Sequence, residues 1–337
     1  MATAKDVARA TGLSLSAVTQ VLGERGHLFR PETRDRVLQA ARELGYRSNG
    51  AARAIRRGRF GMVGLLSRAL DPGSVVPTEV LYILQRELRE RDCRLVAEQV
   101  SSGDLVSGEG IPRLAKVLSV DGVFISITHG ISEQFVEFMS RCQLPAIWLN
   151  ARTASDCVFP DEFGGMRGAT ERLLHLGHRR IALFMSCRAK DRWAHYSLTD
   201  REAGYADAMR AAGLSPRVEV LPPDDGDAFR ALLTGPGRPT AIVVDDGADV
   251  WGVLLHAVQA GLRVPNDLSV VAVARGELKV GGMRVDTWVL PFNKMALHAV
   301  PMLFERITGV VPSHPPRPLP YHYVPGATCA APVGVSV

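Results

Sequence analysis

The chain has no long apolar run. No window of its 337 residues approaches the roughly 18 uninterrupted apolar residues that indicate a transmembrane helix. Its first residues are typical of a capped helix rather than of a secretory signal peptide. We therefore expect a soluble, cytoplasmic protein with no membrane partner.

Metal, redox and catalytic signatures are also missing. The cysteines show neither CxxC spacing nor a paired framework: Cys93, Cys142, Cys157, Cys187 and Cys329. No pair of histidines or cysteines has the spacing of zinc ligands. No glycine-rich phosphate loop and no Ser-His-Asp or Cys-His arrangement is recognisable. These absences predict reduced thiols, no metal, no cofactor, no catalytic residue and no enzymatic activity.

Two short helices with marked ends open the chain. Thr3 and Asp6 form a capping-box pattern, and Gly12 can end the first helix in the left-handed conformation. Ser14 can cap a second helix, which Gly23 ends. Two helices joined by a short turn containing glycine form a helix-turn-helix.

The second helix has two different faces. Val18, Val21 and Leu22 have the spacing of a buried stripe. The opposite side carries residue types that read base edges in a major groove, such as glutamine for adenine and leucine for a thymine methyl group: Leu15, Ser16, Thr19 and Gln20. The alternative is an ordinary helical hairpin with a solvated polar face.

A third helix completes a small domain. Pro31 suits a first helical position, and Gly45 closes the helix. Between them lies an apolar stripe of Val37, Leu38, Ala41 and Leu44. Asn49 can then cap residues 50–57, a segment too short to be helical alone in water.

The segment 50–57 carries one large apolar side chain, Ile55, among Arg53, Arg56 and Arg57. Such an arrangement suits minor-groove intercalation, because the cations hold phosphates while the apolar wedge unstacks a base step. The alternative is a basic linker between domains.

Positive charge is concentrated at the N-terminal end. Residues 1–60 hold 12 Lys or Arg against 5 Asp or Glu, a net charge of +7, whereas the whole chain carries +5. The remainder therefore carries about −2, and the excess lies on the segment expected to meet phosphates. Binding should weaken steeply with salt.

From Phe60 onward, short apolar runs alternate with amphipathic stretches. The runs predict strands at 61–66, 94–100, 121–127, 144–149, 180–185, 217–221, 240–244 and 268–274. Helices are predicted near 77–91, 111–118, 132–142, 164–176, 200–213, 227–234 and 248–261. This alternation indicates doubly wound α/β architecture with parallel sheets, and eight or nine strands suit two lobes.

These motifs resemble the lactose/galactose repressor (LacI/GalR) family of bacterial transcription regulators. Residues 5–8 (KDVA) resemble the family opening, 13–19 its recognition segment and 33–46 its third helix; 173–183 and 260–273 resemble its core more loosely. The resemblance implies an N-terminal all-α helix-turn-helix headpiece and an α/β two-lobed, periplasmic-binding-protein-like core of doubly wound parallel sheets.

The resemblance also implies a domain plan. We expect the headpiece at 1–48, a hinge helix and linker at 49–60, a first core lobe from 61–155 with 288–314, and a second lobe, for dimerisation and effector binding, from 156–287 with 315–330. Three crossovers between the lobes are expected near 152–158, 283–290 and 312–320.

DNA contacts are expected from both the headpiece and the hinge, with Ile55 at the position of the family's leucine wedge. The expected residues are Thr3, Lys5, Ser14, Leu15, Ser16, Thr19, Gln20, Tyr46, Asn49, Ala52, Arg53, Ile55 and Arg56.

An effector cleft is expected where the carboxyl ends of parallel strands meet between the lobes. The residues carried over are Val76, Asn150, Arg201, Asp245 and Asp246. Arg201 matches the family's ligand-gripping arginine, with a salt bridge on the lobe surface as its alternative role. Val273 and Ala274 replace the family's Gly-Tyr-Asp, and 287–291 lacks its glutamine. A free sugar, another small molecule such as an anion held by Arg201, and no effector at all remain open.

We predict a sequence-specific transcription regulator: a homodimeric repressor on a pseudo-palindromic operator in double-stranded DNA, associated with the nucleoid when bound, and controlled by a small molecule in the cleft. The alternatives are a ligand-independent regulator whose cleft has lost effector binding, and a solute-binding sensor.

Overall fold

The computed structural model describes residues 2–47, 58–68, 76–100, 120–128, 133–186, 195–222 and 224–333. The chain divides into two compact units, Met1–Gly61 and Met62–Val337. The expected hinge segment 50–57, the expected helix at 111–118 and Cys187 lie outside the described residues.

The first unit is a small helical domain. Its helices are Ala4–Thr11, Leu15–Val21 and Pro31–Glu43, with a 3-10 turn at Glu24–Leu28. They enclose a core of Val7, Val18, Val21, Val37 and Ala41. The second helix ends at Val21, not at Gly23, which has φ of −103°.

Half of the stripe predicted on the third helix is exposed. Leu38 and Leu44 are 38% and 41% exposed, whereas Val37 and Ala41 are buried. The third helix packs against the first two on one side only, so the helical periodicity overestimated the width of its buried face.

The second unit contains two six-stranded sheets. All pairs in the first sheet are parallel. Its strands, in hydrogen-bonded order from one edge, are Arg317–Leu319, Cys157–Pro160, Ala146–Leu149, Gly122–Ser126, Met62–Arg68 and Arg94–Val100. Its helices are Thr78–Arg89, Glu133–Arg141 and Phe292–Ile307. We call this sheet with its helices the first lobe.

The second sheet is parallel except at one edge, where the terminal strand is antiparallel. Its strands, in order from that edge, are His322–Val324, Asp286–Val289, Ser269–Ala274, Ala241–Val244, Ile181–Ser186 and Val218–Leu221. Its helices are Glu162–His175, Tyr196–Ala211, Gly226–Thr234 and Val250–Gln259. A 3-10 turn at Gly247–Asp249 and a two-stranded ribbon of Lys279–Val280 and Met283–Arg284 complete this second lobe.

Burial on both faces explains why the central strands were recognisable. Every residue of Ile181–Ser186 and Ser269–Ala274 is buried, as expected for parallel strands covered by helices on both sides. The eight strands predicted from apolar runs are all present, with small shifts at their ends.

Backbone pairing places the lobe boundaries differently from the expected ranges. Cys157–Pro160 and Arg317–Leu319, both expected in the second lobe, pair with each other in the first sheet. Asp286–Val289 was expected within a crossover, with its last two residues in the first lobe, but the whole segment is a strand of the second sheet. The chain therefore passes between sheets after Pro160, after Val289 and after Leu319. These strands have only three or four residues each, too few to produce a clear apolar pattern.

The sequence did not predict the helix Phe292–Ile307, which has Pro301 in its interior. Proline removes one backbone donor and normally indicates a helix end. Burial of its apolar face, including Met295, Ala299 and Leu303, against the first lobe outweighs this local preference.

A close contact between two helices of the second lobe depends on Gly204. A Cβ atom added at this position would lie 2.2 Å from the carbonyl oxygen of Phe163. The helices Glu162–His175 and Tyr196–Ala211 can therefore approach this closely only because residue 204 lacks a side chain.

We expect Gly204→Ala to lower the free energy of unfolding by about 2 kcal/mol or more, because overpacking against a fixed backbone atom is costly. Helix propensity alone would favour alanine by about 1 kcal/mol. Urea denaturation of the full chain measures the effect. Gly226→Ala is the matched control, since its Cβ would meet nothing closer than 3.8 Å. Equal stability of the two variants would contradict this packing argument.

Candidate nucleic-acid interface and interlobe cleft

The first helix of the headpiece has the predicted N-terminal cap. The Thr3 backbone N–H donates to Asp6 Oδ2 over 2.8 Å, and the Asp6 backbone N–H donates to Thr3 Oγ1 over 3.4 Å. Hydrogen bonds from Thr3 hold the pKa of Asp6 below its ordinary value. Gly12 ends the helix at φ of 69°, as predicted.

The second helix shows one buried and one open face. Ser14 Oγ accepts a hydrogen bond from the Ala17 backbone N–H over 3.1 Å, which caps the helix. Val18 and Val21 are buried, whereas Leu15 is 41% exposed. Because the helix is fixed at its cap and along its apolar stripe, its opposite face has a defined orientation.

Two polar side chains on this open face, Thr19 and Gln20, donate hydrogen bonds to Ser16. Thr19 Oγ1 donates to the Ser16 carbonyl oxygen over 3.0 Å, and Gln20 Nε2 donates to Ser16 Oγ over 3.2 Å. Ser16 is exposed, and Thr19 and Gln20 are partly exposed. Hydroxyl and amide groups are therefore presented together at the start of the helix, the position from which a recognition helix contacts bases.

The remaining residues expected at DNA fall into three groups. Thr3 and Lys5 are exposed at the first helix. Tyr46 is partly buried against the headpiece core, which fits a structural role as well as a contact. The hinge residues lie outside the described part of the chain: Asn49, Ala52, Arg53, Ile55 and Arg56.

In the second unit, two adjoining cavities lie at the carboxyl ends of strands from both sheets. They enclose about 30 Å³ and about 90 Å³, and both are lined by Thr128, Asn150, Arg275 and Phe292. Val76 lines the smaller cavity, Arg201, Asp245 and Asp246 line the larger one, and Asn150 lines both. The structure thus brings all five residues expected at the effector site into one cleft.

A buried ion pair forms part of the wall of the larger cavity. Arg201 Nε is 2.6 Å from Glu162 Oε2, and its Nη1 donates to the carbonyl oxygen of Asp245 over 2.6 Å. The hydroxyl of Tyr321 donates to the same carboxylate of Glu162. Arg201 and Glu162 are only 8% and 2% exposed. Arg201 therefore has an internal partner, in place of the exposed salt bridge considered from the sequence.

Charge interactions keep this arginine ionised. Burial alone would lower the pKa of Arg201, but Glu162, Tyr321 and Asp245 raise it well above its ordinary value. Burial raises the pKa of Tyr321, and Glu162 adds to the effect although Arg201 opposes it. The tyrosine is consequently a neutral hydrogen-bond donor to the carboxylate.

Asn150 has an unusual conformation at the end of its strand. Its φ is +56°, in the left-handed region. Its backbone oxygen accepts a hydrogen bond from His195 Nε2 over 2.9 Å, which joins the first lobe to the second. Its side-chain Oδ1 is buried and has no hydrogen-bond partner among the described residues. Such strain and an unsatisfied acceptor are typical of binding sites.

Further contacts join the lobes beside the cleft. Arg152 Nη1 lies 2.7 Å from Asp200 Oδ2. The hydroxyl of Tyr196 donates to the Pro160 carbonyl oxygen over 3.3 Å, and its ring packs edge-on against Phe159. The N-terminal end of helix Tyr196–Ala211 therefore docks on the first lobe.

Sequence reasoning missed several residues of the cleft. Arg275 directly follows the strand Ser269–Ala274, so the rule about carboxyl ends of parallel strands could have identified it. Glu162 and Tyr321 lie beside connections between the lobes, His195 precedes the helix Tyr196–Ala211, and no periodicity marks any of the three. Within the described ranges, no group of three or more His, Cys, Asp or Glu side chains could hold a metal ion.

Two family profiles match the chain, one in the headpiece and one in the two-lobed core. Residues 3–49 match the profile of bacterial regulatory proteins of the lacI family, and residues 170–329 match that of a periplasmic binding protein-like domain. Among the helices in the part of the chain that the structure describes, none is both long and apolar enough to cross a bilayer.

Relatives and solved structures align over nearly the whole chain. The HTH-type transcriptional regulator AglR of Rhizobium meliloti (strain 1021) is 26% identical, covering 96% of this chain and 99% of the relative. The ribose operon repressor of Escherichia coli (strain K12) is 29% identical, covering 91% and 94%. The lac repressor dimer bound to operator and the anti-inducer ONPF superposes with a TM-score of 0.81 at 22% identity, covering 98% and 99%.

A helix-turn-helix headpiece with a periplasmic-binding-protein-like core defines a class of DNA-binding transcriptional regulators. The chain carries the DNA-binding domain of bacterial regulatory proteins of the lacI family, joined to a periplasmic binding protein-like domain, and the relatives that align over nearly its whole length are transcriptional regulators and repressors.

Two serines of the headpiece differ in whether their hydroxyl group caps a helix, and substituting each one tests the contribution of that cap to stability. We expect Ser14→Ala to destabilise the headpiece by about 1 kcal/mol, because the helix cap is lost. Ser16→Ala is the control, since its hydroxyl caps no helix. Hydrogen exchange of the amides in Leu15–Val21 measures the difference in the full chain. Equal exchange rates in the two variants would show that Ser14 contributes no cap.

Proposed function

We propose that the protein is a homodimeric repressor that binds a pseudo-palindromic operator. The capped helix Leu15–Val21 supports the proposal, because its buried stripe fixes the orientation of the opposite face, which carries Ser16, Thr19 and Gln20. We propose that this face enters a major groove. Two headpieces related by two-fold symmetry require two half-sites. The protein acts in the cytoplasm, where the DNA is.

Electrostatics supply affinity and the recognition helix supplies specificity. The net charge of +7 on residues 1–60 attracts phosphates irrespective of sequence. Gln20 can form a bidentate contact with adenine. Ile55 is proposed as a minor-groove wedge, a role supported by its position among arginines and by the family resemblance.

Self-association is supported by an apolar stripe on the helix Val250–Gln259. Trp251, Leu255 and Val258 share one face and are 60%, 42% and 70% exposed. Large apolar side chains grouped on a surface indicate a protein interface. A second copy of the same stripe would cover it in a two-fold dimer.

Ligand control is supported by the cleft. It lies between the two lobes, beside the polar contacts Arg152–Asp200 and His195–Asn150 that join them, and it contains the buried Oδ1 of Asn150, which has no partner among the described residues. A ligand changes DNA affinity only through a difference in its affinity for the two lobe arrangements. We propose that such a ligand shifts the lobes and, through them, the hinge segments.

Capture of genomic DNA fragments by the full-length protein tests operator recognition. We expect the wild type to recover a palindromic motif. Gln20→Ala should bind that motif about 5- to 150-fold more weakly, since a bidentate base contact contributes about 1–3 kcal/mol of discrimination. Ile55→Ala should lower affinity with less effect on the preferred half-site bases.

Gln39→Ala is the matched control, because Gln39 is exposed on the third helix, where its amide contacts Glu43. It should recover the wild-type motif. The proposal of sequence-specific operator binding fails if the wild type recovers no motif, or if Gln20→Ala keeps both the motif and the wild-type affinity.

Charged substitutions in the exposed stripe test the dimer. We expect the double variant Trp251→Asp, Val258→Asp to be monomeric in light scattering, and its operator affinity to fall roughly 100-fold or more because the two headpieces are no longer linked. Val310→Asp is the control, at a residue of the first lobe that is 71% exposed. A monomeric wild type, or a double variant that stays dimeric, would rule out this interface.

A further inference from the structure

The charge state of the cleft restricts what it can bind. Arg201 is the residue from which an anionic ligand would be expected to gain most. Its Nε and Nη1 already contact Glu162 and the carbonyl oxygen of Asp245, each at 2.6 Å. A ligand carboxylate or phosphate that took Arg201 would leave Glu162 buried without its counterion, which is strongly unfavourable.

The remaining charges do not favour an anion either. The larger cavity is lined by three carboxylates, Glu162, Asp245 and Asp246, and by two guanidinium groups, Arg201 and Arg275. Together these five side chains carry one more negative than positive charge. A neutral or cationic ligand therefore meets no net repulsion, whereas an anion does.

The smaller cavity differs in chemistry from the larger one. Its wall includes the apolar side chains Val76, Val80, Leu149, Phe292 and Met295. The rest of the lining includes four polar residues, Ser126, Thr128, Asn150 and Arg275. A hydroxyl group buried against the apolar side chains alone would lose its hydrogen bonds to water without replacement. This part of the cleft therefore suits an apolar group rather than the face of a free sugar.

Asn150 lies where the two cavities meet. Its Oδ1 is buried and finds no donor within the described ranges, and a buried acceptor of this kind is stabilised by a donor from a ligand. Its backbone is held by a hydrogen bond from its own N–H to the Val158 carbonyl oxygen over 3.0 Å and by His195 at its carbonyl oxygen. The backbone that carries this acceptor is thus fixed in position before any ligand arrives.

We propose that the cleft takes a small amphiphilic molecule without negative charge, with its apolar group against Val76, Val80 and Met295 and a hydroxyl or ammonium donor at Asn150. This inference rests on the proposed function only in treating the cleft as the effector site. It excludes phosphorylated sugars and organic acids, and it disfavours free sugars.

Three probes with one carbon skeleton test the proposal on the full-length protein: cyclohexylmethanol, cyclohexylmethylamine and cyclohexanecarboxylate. Titration calorimetry gives the affinities, with glucose and glucose 6-phosphate as sugar probes. We expect the alcohol and the amine to bind at least about 10-fold more tightly than the carboxylate and either sugar, a difference of about 1.4 kcal/mol.

Two variants test the assigned contacts. Asn150→Gly keeps the left-handed backbone accessible and removes the acceptor, so the alcohol and the amine should bind about 10-fold more weakly. Glu162→Gln releases Arg201, so the carboxylate should gain at least about 10-fold in affinity. Tyr321→Phe is the control for disturbance of the network, because it keeps the ion pair and should keep the wild-type preference.

The proposal is overturned if the carboxylate or a sugar binds the wild type as tightly as the alcohol and the amine, or if no probe binds. Loss of folding in Glu162→Gln would leave the Asn150→Gly comparison to decide.

DNA capture with the same protein separates the proposal on the ligand class from the proposal of operator binding. A protein that recovers its operator motif but fails these titrations keeps its function as a repressor. Probe binding without a motif would instead support the ligand class and remove the operator assignment.

Discussion

The cleft is organised by the buried ion pair between Arg201 and Glu162. Glu162 begins the helix after the first passage between sheets, and Tyr321, which donates to it, lies at the third passage. The carboxylate of Glu162 thus connects two of the segments that pass between the sheets with the helix Tyr196–Ala211. Removing either charge would leave the other buried and unpaired, at a cost of about 3–5 kcal/mol. The same pair that fixes this geometry also removes the arginine from competition for anions.

Much of the fold could be predicted because its determinants are local. Thr3 with Asp6, and Ser14 with Ala17, are caps formed across three residues. The eight apolar runs became strands because parallel strands buried on both faces need continuous apolar sequence. Two faces of one short helix follow directly from its periodicity. Headpiece architecture and the general position of the cleft were therefore accessible from sequence.

The chemistry of the cleft was less accessible, because it depends on contacts between distant segments. Arg201 was expected to grip a ligand, but its partner Glu162 is 39 residues away, and Tyr321 is 159 residues from Glu162. Such contacts between distant residues follow from the sheet topology, and no local sequence pattern indicates them. The helix Phe292–Ile307 was missed for a related reason: tertiary packing outweighs the local effect of Pro301.

The ion pair within the second lobe and the contacts between the lobes differ in how easily they can be broken. Arg201–Glu162 is buried within the second lobe, whereas Arg152–Asp200 spans the lobes and leaves the Arg152 side chain 52% exposed. An exposed pair contributes about 0–1 kcal/mol, so a change in lobe angle should open Arg152–Asp200 and the bond from His195 to Asn150 while the buried pair stays intact. A ligand that contacts Asn150 touches the residue whose backbone carries that interlobe bond. Under the proposed function, its affinity therefore depends on the lobe angle, the condition that thermodynamic coupling to the headpiece requires.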